Sequence, residues 1–138
     1  MLFQPKKTKF LKPHKVIYRG KATTCNKIAF GDYALFSCES GSVASKHLEA
    51  IRMLLAKEFV RNGRYWFRVF PQMAQTKKAD GVRQGSGKGM QDFFYAPVCN
   101  GTIVVEISGV SLSKAKAILR QCGYKLPFRT GFLEKKQN

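Results

Sequence analysis

The glycine-rich run at residues 82–89, VRQGSGKG, holds the residue types best suited to meeting a phosphate. Gly85, Gly87 and Gly89 leave backbone N–H groups uncovered by a Cβ and leave φ free on either side of zero, so main chain can approach phosphate or sugar closely. Arg83 and Lys88 bracket those glycines with positive charge, and Gln84 and Ser86 add polar groups between them. The run does not fit the triphosphate-binding consensus, which needs glycine at position 82 and serine or threonine at position 89, where Val82 and Gly89 stand. Dinucleotide fingerprints fail as well, because the glycines alternate and no helical pattern follows directly. A soluble ATPase or dehydrogenase is thereby excluded, leaving an extended finger for a nucleic-acid crevice or a plain glycine-rich linker.

Other reactive constellations are sparse. His14 and His47 have no serine or cysteine partner in an evident motif, and Asp80 and Asp92 flank the loop without metal-binding spacing. Cys25, Cys38, Cys99 and Cys122 form no C-x-x-C pair and read as small buried hydrophobes in a reducing compartment. The expectation is a non-enzymatic chain with no metal, no cofactor and no small-molecule substrate. A basic RNA-processing nuclease and a free RNA chaperone are the alternatives from other classes.

Charge points to the partner. Among 138 residues, 25 Lys and Arg face 8 Asp and Glu, a net charge of +17. Polyanions such as nucleic acid or an acidic membrane surface are the natural counterpart to such a chain. A disordered basic tail is excluded by composition, since 44% of residues are hydrophobic and 12% aromatic. No run approaches the ~20 apolar residues that a spanning helix needs. The opening MLFQPKKTKFLKPHK has lysines where a signal peptide is apolar, and it is expected to be mature protein.

Every acid lies at or beyond Asp32, whereas Lys6, Lys7, Lys9, Lys12, Lys15, Arg19, Lys21 and Lys27 precede it. Residues 1–26 are accordingly expected to be a basic RNA-binding arm, kept from continuous helix by Pro5 and Pro13 and extended until it meets phosphate. Residues 27–132 read as a single domain and 133–138 as a polar tail. Short strands are expected at 28–30 and 33–40 around the Gly31-Asp32 turn. A helix capped by Ser42 or Ser45 then runs to about Arg61, with Ala44, Leu48, Ile51, Leu55 and Phe59 on one stripe and Asn62-Gly63 as its stop.

The segment 64–70, RYWFRVF, is the strongest strand signal, with Tyr65, Phe67 and Val69 on one face and Arg64, Trp66, Arg68 and Phe70 on the other. Arginine alternating with an aromatic can hold phosphate and stack on a base, or can simply point at water. Residues 71–92 read as a long loop almost without large apolar side chains. The segments 93–98 and 102–107 read as a hairpin across Asn100-Gly101. A second helix from Ser111 to about Cys122 is expected to bury Leu112, Ala115, Ile118, Leu119 and Cys122, and LPFRTGF to be extended. The sum is an α+β fold, a two-layer sandwich of mixed, mostly antiparallel strands with two helices.

In order along the chain, QPKKTKF, FGDYAL, HLEAIR, RYWFRVFP, VRQGSGKG and KLPFRTGF resemble ribosomal protein sixteen of the large subunit, in its bacterial and organellar form. The match runs from Met1 to about Phe132. It implies the α/β-hammerhead type of fold and a structural constituent of the large ribosomal subunit. It also implies binding to large-subunit ribosomal RNA near the A site, with tRNA and neighbouring ribosomal proteins as further partners. By position, Arg83, Gln84, Gly85, Ser86, Gly87, Lys88 and Gly89 correspond to the family's loop near the tRNA acceptor ends by the peptidyl transferase centre. Lys6, Lys7, Lys9, Lys12, Lys15, Arg19, Arg52, Arg64 and Arg68 fall on basic positions of its RNA side, and Arg83 on an arginine that some bacterial relatives hydroxylate. The chain departs from the pattern at residues 13–26, at Met53 and Val60, and in MAQTKKADG. Such drift, with abundant Phe and Lys, suits an organellar ribosome; the mitochondrial matrix is favoured over the plastid stroma or a bacterial cytoplasm.

Overall fold

A computed structural model describes residues 3–60 and 63–135. Seven strands and two helices occur among these residues, in the order β1 (Tyr33–Ser37), β2 (Gly41–Ala44), α1 (Ser45–Glu58), β3 (Arg64–Phe67), β4 (Met73–Lys77), β5 (Met90–Val98), β6 (Ile103–Ser108), α2 (Leu112–Gly123) and β7 (Thr130–Glu134). They form a four-stranded sheet ordered β3-β6-β1-β7 and a three-stranded sheet ordered β2-β5-β4. Every ladder between these strands is antiparallel. The α+β class is as expected from the sequence.

The core follows from periodicity. Strand β6 is central and is buried from Ile103 to Ile107, so it reads as a continuous apolar run interrupted by Glu106. Register puts Leu35, Phe67 and Phe132 beside one another around Val105 on one face of the sheet. Leu48, Ile51 and Leu55 of α1 and Ala115, Ile118 and Leu119 of α2 pack into the same cluster. Their spacing at three and four residues is the helical stripe that the sequence displays. The opposite face of the sheet carries Ala34, Trp66 and Glu106, which register aligns.

Several expected elements differ. The segments 93–98 and 102–107 do not pair with each other: β5 lies between β2 and β4, while β6 lies between β1 and β3. The Asn100-Gly101 turn exists, with Thr102 N–H donating to Cys99 C=O at 3.1 Å, but Gly101 N–H is captured by Ser37 C=O at 2.7 Å. The chain thus crosses between sheets at the turn, and non-local partners decide the pairing. Residues 71–92 are not one loop, since β4 and the first turns of β5 pair there, Lys77 opposite Met90. A backbone ladder needs no large apolar side chain, so the strand was hidden; the open segment is 78–89.

Residues 28–30 form no strand, because the amides of Ala29, Phe30 and Gly31 turn toward Glu106. Strand β2 occupies positions from which Ser42 was expected to cap α1. The cap residue is Ala44, whose N–H donates to Nδ1 of His47 at 3.3 Å. Helix α1 ends at Glu58 with Phe59 as its cap, short of the expected Arg61; Arg61 and Asn62 lie outside the described residues, and Gly63, half of the expected stop, has φ +98°. Ser111 does precede α2, although Leu112 is 37% exposed because it sits on the solvent side of the first turn. Of the four cysteines only Cys122 is buried, and burial pushes its thiol up to about 12, while Cys25 is exposed. The reading of all four as core residues is corrected accordingly.

Candidate nucleic-acid interface

Residues 78–89 connect two paired strands, so the loop is held at both ends and open between them. Gly85, Ser86 and Gly87 all have positive φ, at +100°, +54° and +86°. Two of these conformations are cheap only for glycine. Gly89 serves a different need: a Cβ there would lie 2.5 Å from the carbonyl oxygen of Lys77 in the facing strand. The glycines therefore shape a tight finger at its tip and let it close at its base. Arg83, Gln84, Gly85, Ser86, Gly87 and Lys88 are all exposed. Lys78 donates its ammonium to Gly85 C=O, which folds the finger back on itself.

The arm reaches this loop. Lys12 Nζ donates to Lys88 C=O at 2.9 Å, and Lys88 Nζ donates in return to Pro13 C=O. Two segments that appear separate in the sequence thus meet through a reciprocal pair of lysines. Further back the arm is pinned to the domain: Phe3 meets Phe67 edge-on at 4.9 Å, Ala22 N–H donates to Asn100 C=O at 2.8 Å, and Ile103 N–H donates to Cys25 C=O at 2.8 Å. Lys6, Lys7, Lys9, Lys12, Lys15 and Arg19 are exposed along it. This arrangement presents a row of cations beside the glycine finger.

Beyond the arm with its Arg19, the other three arginines assigned to the RNA side from sequence have different surroundings. Arg64 is exposed at the start of β3. Arg52 is half-buried and bonds Glu49 one turn away at 2.7 Å, which draws the Glu49 carboxyl below its usual range and raises Arg52. Arg68 pairs with Glu106 and its side chain is only 16% exposed. Its guanidinium also lies 5.1 Å from the centre of the Phe30 ring. Charge at Arg52 and Arg68 is thus partly met inside the protein.

Glu106 itself is absent from the sequence-derived site. It is completely buried, and its carboxylate accepts the N–H groups of Ala29, Phe30 and Gly31, the last at 2.8 Å, besides Arg68. Burial pushes its carboxyl up, but the amides of Gly31, Phe30 and Ala29 and the Arg68 guanidinium together outweigh burial and hold it below the usual carboxylate range. A lone acid inside IVVEIS was the available signal, because a charge in a central strand requires partners. Among the described residues no group of His, Cys, Asp or Glu could hold a metal ion, and no helix is long and apolar enough to cross a membrane.

The α+β scaffold carries a basic arm clasped to a glycine finger, and the family it matches is one of structural, non-enzymatic ribosomal proteins. The chain belongs to the large-subunit ribosomal protein L16 family: the family described as ribosomal protein L16p/L10e matches residues 5–133. It is 42% identical over 137 residues to the large ribosomal subunit protein uL16 of Treponema denticola, covering 99% of each chain. It is 41% identical over 134 residues to the uL16 of Acholeplasma laidlawii, covering 97% of each. A plastid-type relative, uL16c of Cyanidioschyzon merolae, is 42% identical over 137 residues, covering 99% of this chain and 96% of the relative.

Proposed function

We propose that this chain binds large-subunit ribosomal RNA near the A site and holds the glycine finger where it helps position tRNA acceptor ends by the peptidyl transferase centre. The observation that carries this reading is the Lys12–Lys88 clasp, which joins the arm to the finger. Lys6, Lys7, Lys9, Lys12, Lys15, Arg19 and Arg64 supply phosphate contacts from exposed positions, and Arg52 contributes through the face it shares with Glu49. Arg68 supports the same surface from beneath, through Glu106. Arg83, Gln84, Gly85, Ser86, Gly87, Lys88 and Gly89 form the tRNA-proximal element, and neighbouring large-subunit proteins complete the surroundings.

The compartment we infer is an organellar ribosome in the mitochondrial matrix. Composition supports it, chiefly the abundance of Phe and Lys and the divergence at residues 13–26. Quantitative mass spectrometry of ribosomes purified from mitochondria and from plastids of the same cells tests the assignment. Enrichment in the plastid particle would overturn it.

The RNA assignment is tested by titrating the protein against a large-subunit rRNA fragment over a range of salt. Affinity should fall log-linearly, with a slope of roughly 0.7 to 0.9 per neutralised phosphate. A salt-independent affinity would exclude the phosphate-bound arm. Substituting Arg83 or Lys88 with Ala should then impair tRNA accommodation more than subunit assembly. The reverse order would make the finger an rRNA scaffold.

A further inference from the structure

The outer face of the four-stranded sheet carries an aromatic pair that the core does not use. Phe30 is 60% exposed, and its ring stacks on Trp66 with centroids 6.1 Å apart and planes inclined by 27°. An exposed aromatic on a loose loop would be unremarkable, but this loop is fixed. The N–H groups of Phe30 and Gly31 donate to buried Glu106 at 2.7 and 2.8 Å, and a Cβ on Gly31 would strike Ile107 C=O at 2.7 Å. The Arg68 guanidinium, locked by the same carboxylate, lies against the Phe30 ring. Phe30 is therefore held out from the surface by a buried charge network rather than left there by default.

We propose that Phe30 and Trp66 form a stacking platform for one unpaired base of single-stranded RNA, a reading that rests on the rRNA-binding role above. Aromatic surface binds bases without regard to sequence, because every base has a π-face. Its orientation is set before RNA arrives, so little side-chain freedom is lost on binding. Phosphates on either side of the base find exposed Arg64, two residues before Trp66 on the same strand face, and exposed Lys27, three residues before Phe30. A docking patch for a protein needs a contiguous apolar area of several hundred Å². Here a single exposed ring stands among cations, on a chain of net charge +17, which matches a nucleotide better than an apolar protein surface.

Trp66 is the chain's single tryptophan and reports on the platform directly. The full-length protein is titrated with a short single-stranded oligoadenylate and, separately, with a duplex RNA of the same length, while Trp66 emission is followed. The oligoadenylate should quench Trp66; the duplex, whose bases are already stacked, should bind through its phosphates without quenching. Phe30→Leu, which keeps the backbone donors to Glu106, should weaken oligoadenylate binding roughly ten-fold and leave duplex binding unchanged, whereas Phe30→Tyr should retain both. An unaltered far-ultraviolet circular dichroism spectrum and melting temperature in the free variants confirms that the fold survives. Binding of both RNAs without quenching, or indifference of the oligoadenylate to Phe30→Leu, overturns the platform. Failure to bind either RNA would instead overturn the rRNA-binding role itself.

Discussion

Arg68 and Glu106 form an ion pair on the outer face of the four-stranded sheet, the acid completely buried and the arginine largely so. Three backbone amides complete the shell around the carboxylate, so the pair ties residues 29–31 to the sheet. A buried pair of this kind adds little over a well-packed apolar alternative, yet removing one partner leaves uncompensated charge and unpaired N–H groups. Glu106→Leu should therefore destabilise the protein by about 3–5 kcal/mol, measured by urea unfolding. Glu106→Gln, which keeps an acceptor oxygen, should cost less. Equal losses in the two variants would mean that packing rather than polar satisfaction decides this site.

The same shell predicts a response to acid. In the folded state the Glu106 carboxyl lies below its ordinary value, so the unfolded chain binds a proton more readily. Its contribution to stability is complete above the unfolded value of about 4.3 and is lost as pH falls from there through the folded value. Melting temperature followed from neutral pH downward should show this loss in the native protein and a shallower one in Glu106→Gln. Identical acid profiles would place the sensitive group elsewhere.

Helix α1 has a second titrating contact, because neutral Nδ1 of His47 accepts the Ala44 N–H. Desolvation by burial, with the nearby Lys46 charge second, lowers the His47 value below its usual level. Its neutral form is thus favoured on folding, and this stability is present above the unfolded value of about 6.5 and lost as pH falls through the folded value. Protection of the first-turn amides of α1, taken relative to their intrinsic exchange rate at each pH, should fall once pH drops below that range. His47→Gln places a permanently neutral acceptor at the same capping-box position and should remove the pH dependence.

Helices and core were legible because their signals are periodic. Leu48, Ile51 and Leu55 repeat at helical spacing, as do Ala115, Ile118 and Leu119, and each set is buried. Strand partners were not legible: a good turn at Asn100-Gly101 suggested a hairpin, whereas pairing was decided by distant segments such as Ser37 and Cys25. In the interface, the glycine finger and the exposed arm were visible as composition and motif. The Lys12–Lys88 clasp was not, because a bond across 76 residues between a side chain and a carbonyl leaves no trace in either sequence context. Arg68 illustrates the same limit, since alternation showed its face but not the acid opposite it.

Glycines of the finger should respond differently to alanine. At Gly85 and Gly87 a Cβ meets nothing within 4 Å, so the expected cost is conformational, roughly 1–2 kcal/mol for a left-handed residue. That cost falls on the finger alone and should appear as increased proteolysis there with global stability intact. At Gly89 the added Cβ collides with backbone of Lys77 and Lys78, so Gly89→Ala should also disturb the β4–β5 pairing. Amide exchange at Lys77 and Met90 separates the two cases. Exchange there that is unchanged in Gly89→Ala would show that the finger base can shift without cost.

The arm–finger clasp should strengthen with salt. Each bond joins an ammonium to a neutral carbonyl, whereas the two ammoniums repel each other and the rest of a strongly basic chain. Added salt screens that long-range repulsion over a Debye length of about 10 Å at 0.1 M, while a short charge–dipole contact is screened less. Protection of amides flanking Pro13 and Lys88 should thus rise between low and moderate salt, over the same range in which RNA affinity falls. Lys12→Met and Lys88→Met should each lower that protection, and the double variant should lose less than the sum of the two, because the bonds support one another across a shared contact. Additive losses would make the two lysines independent, and protection that falls with salt would show that an ion pair, rather than carbonyl capture, holds the arm.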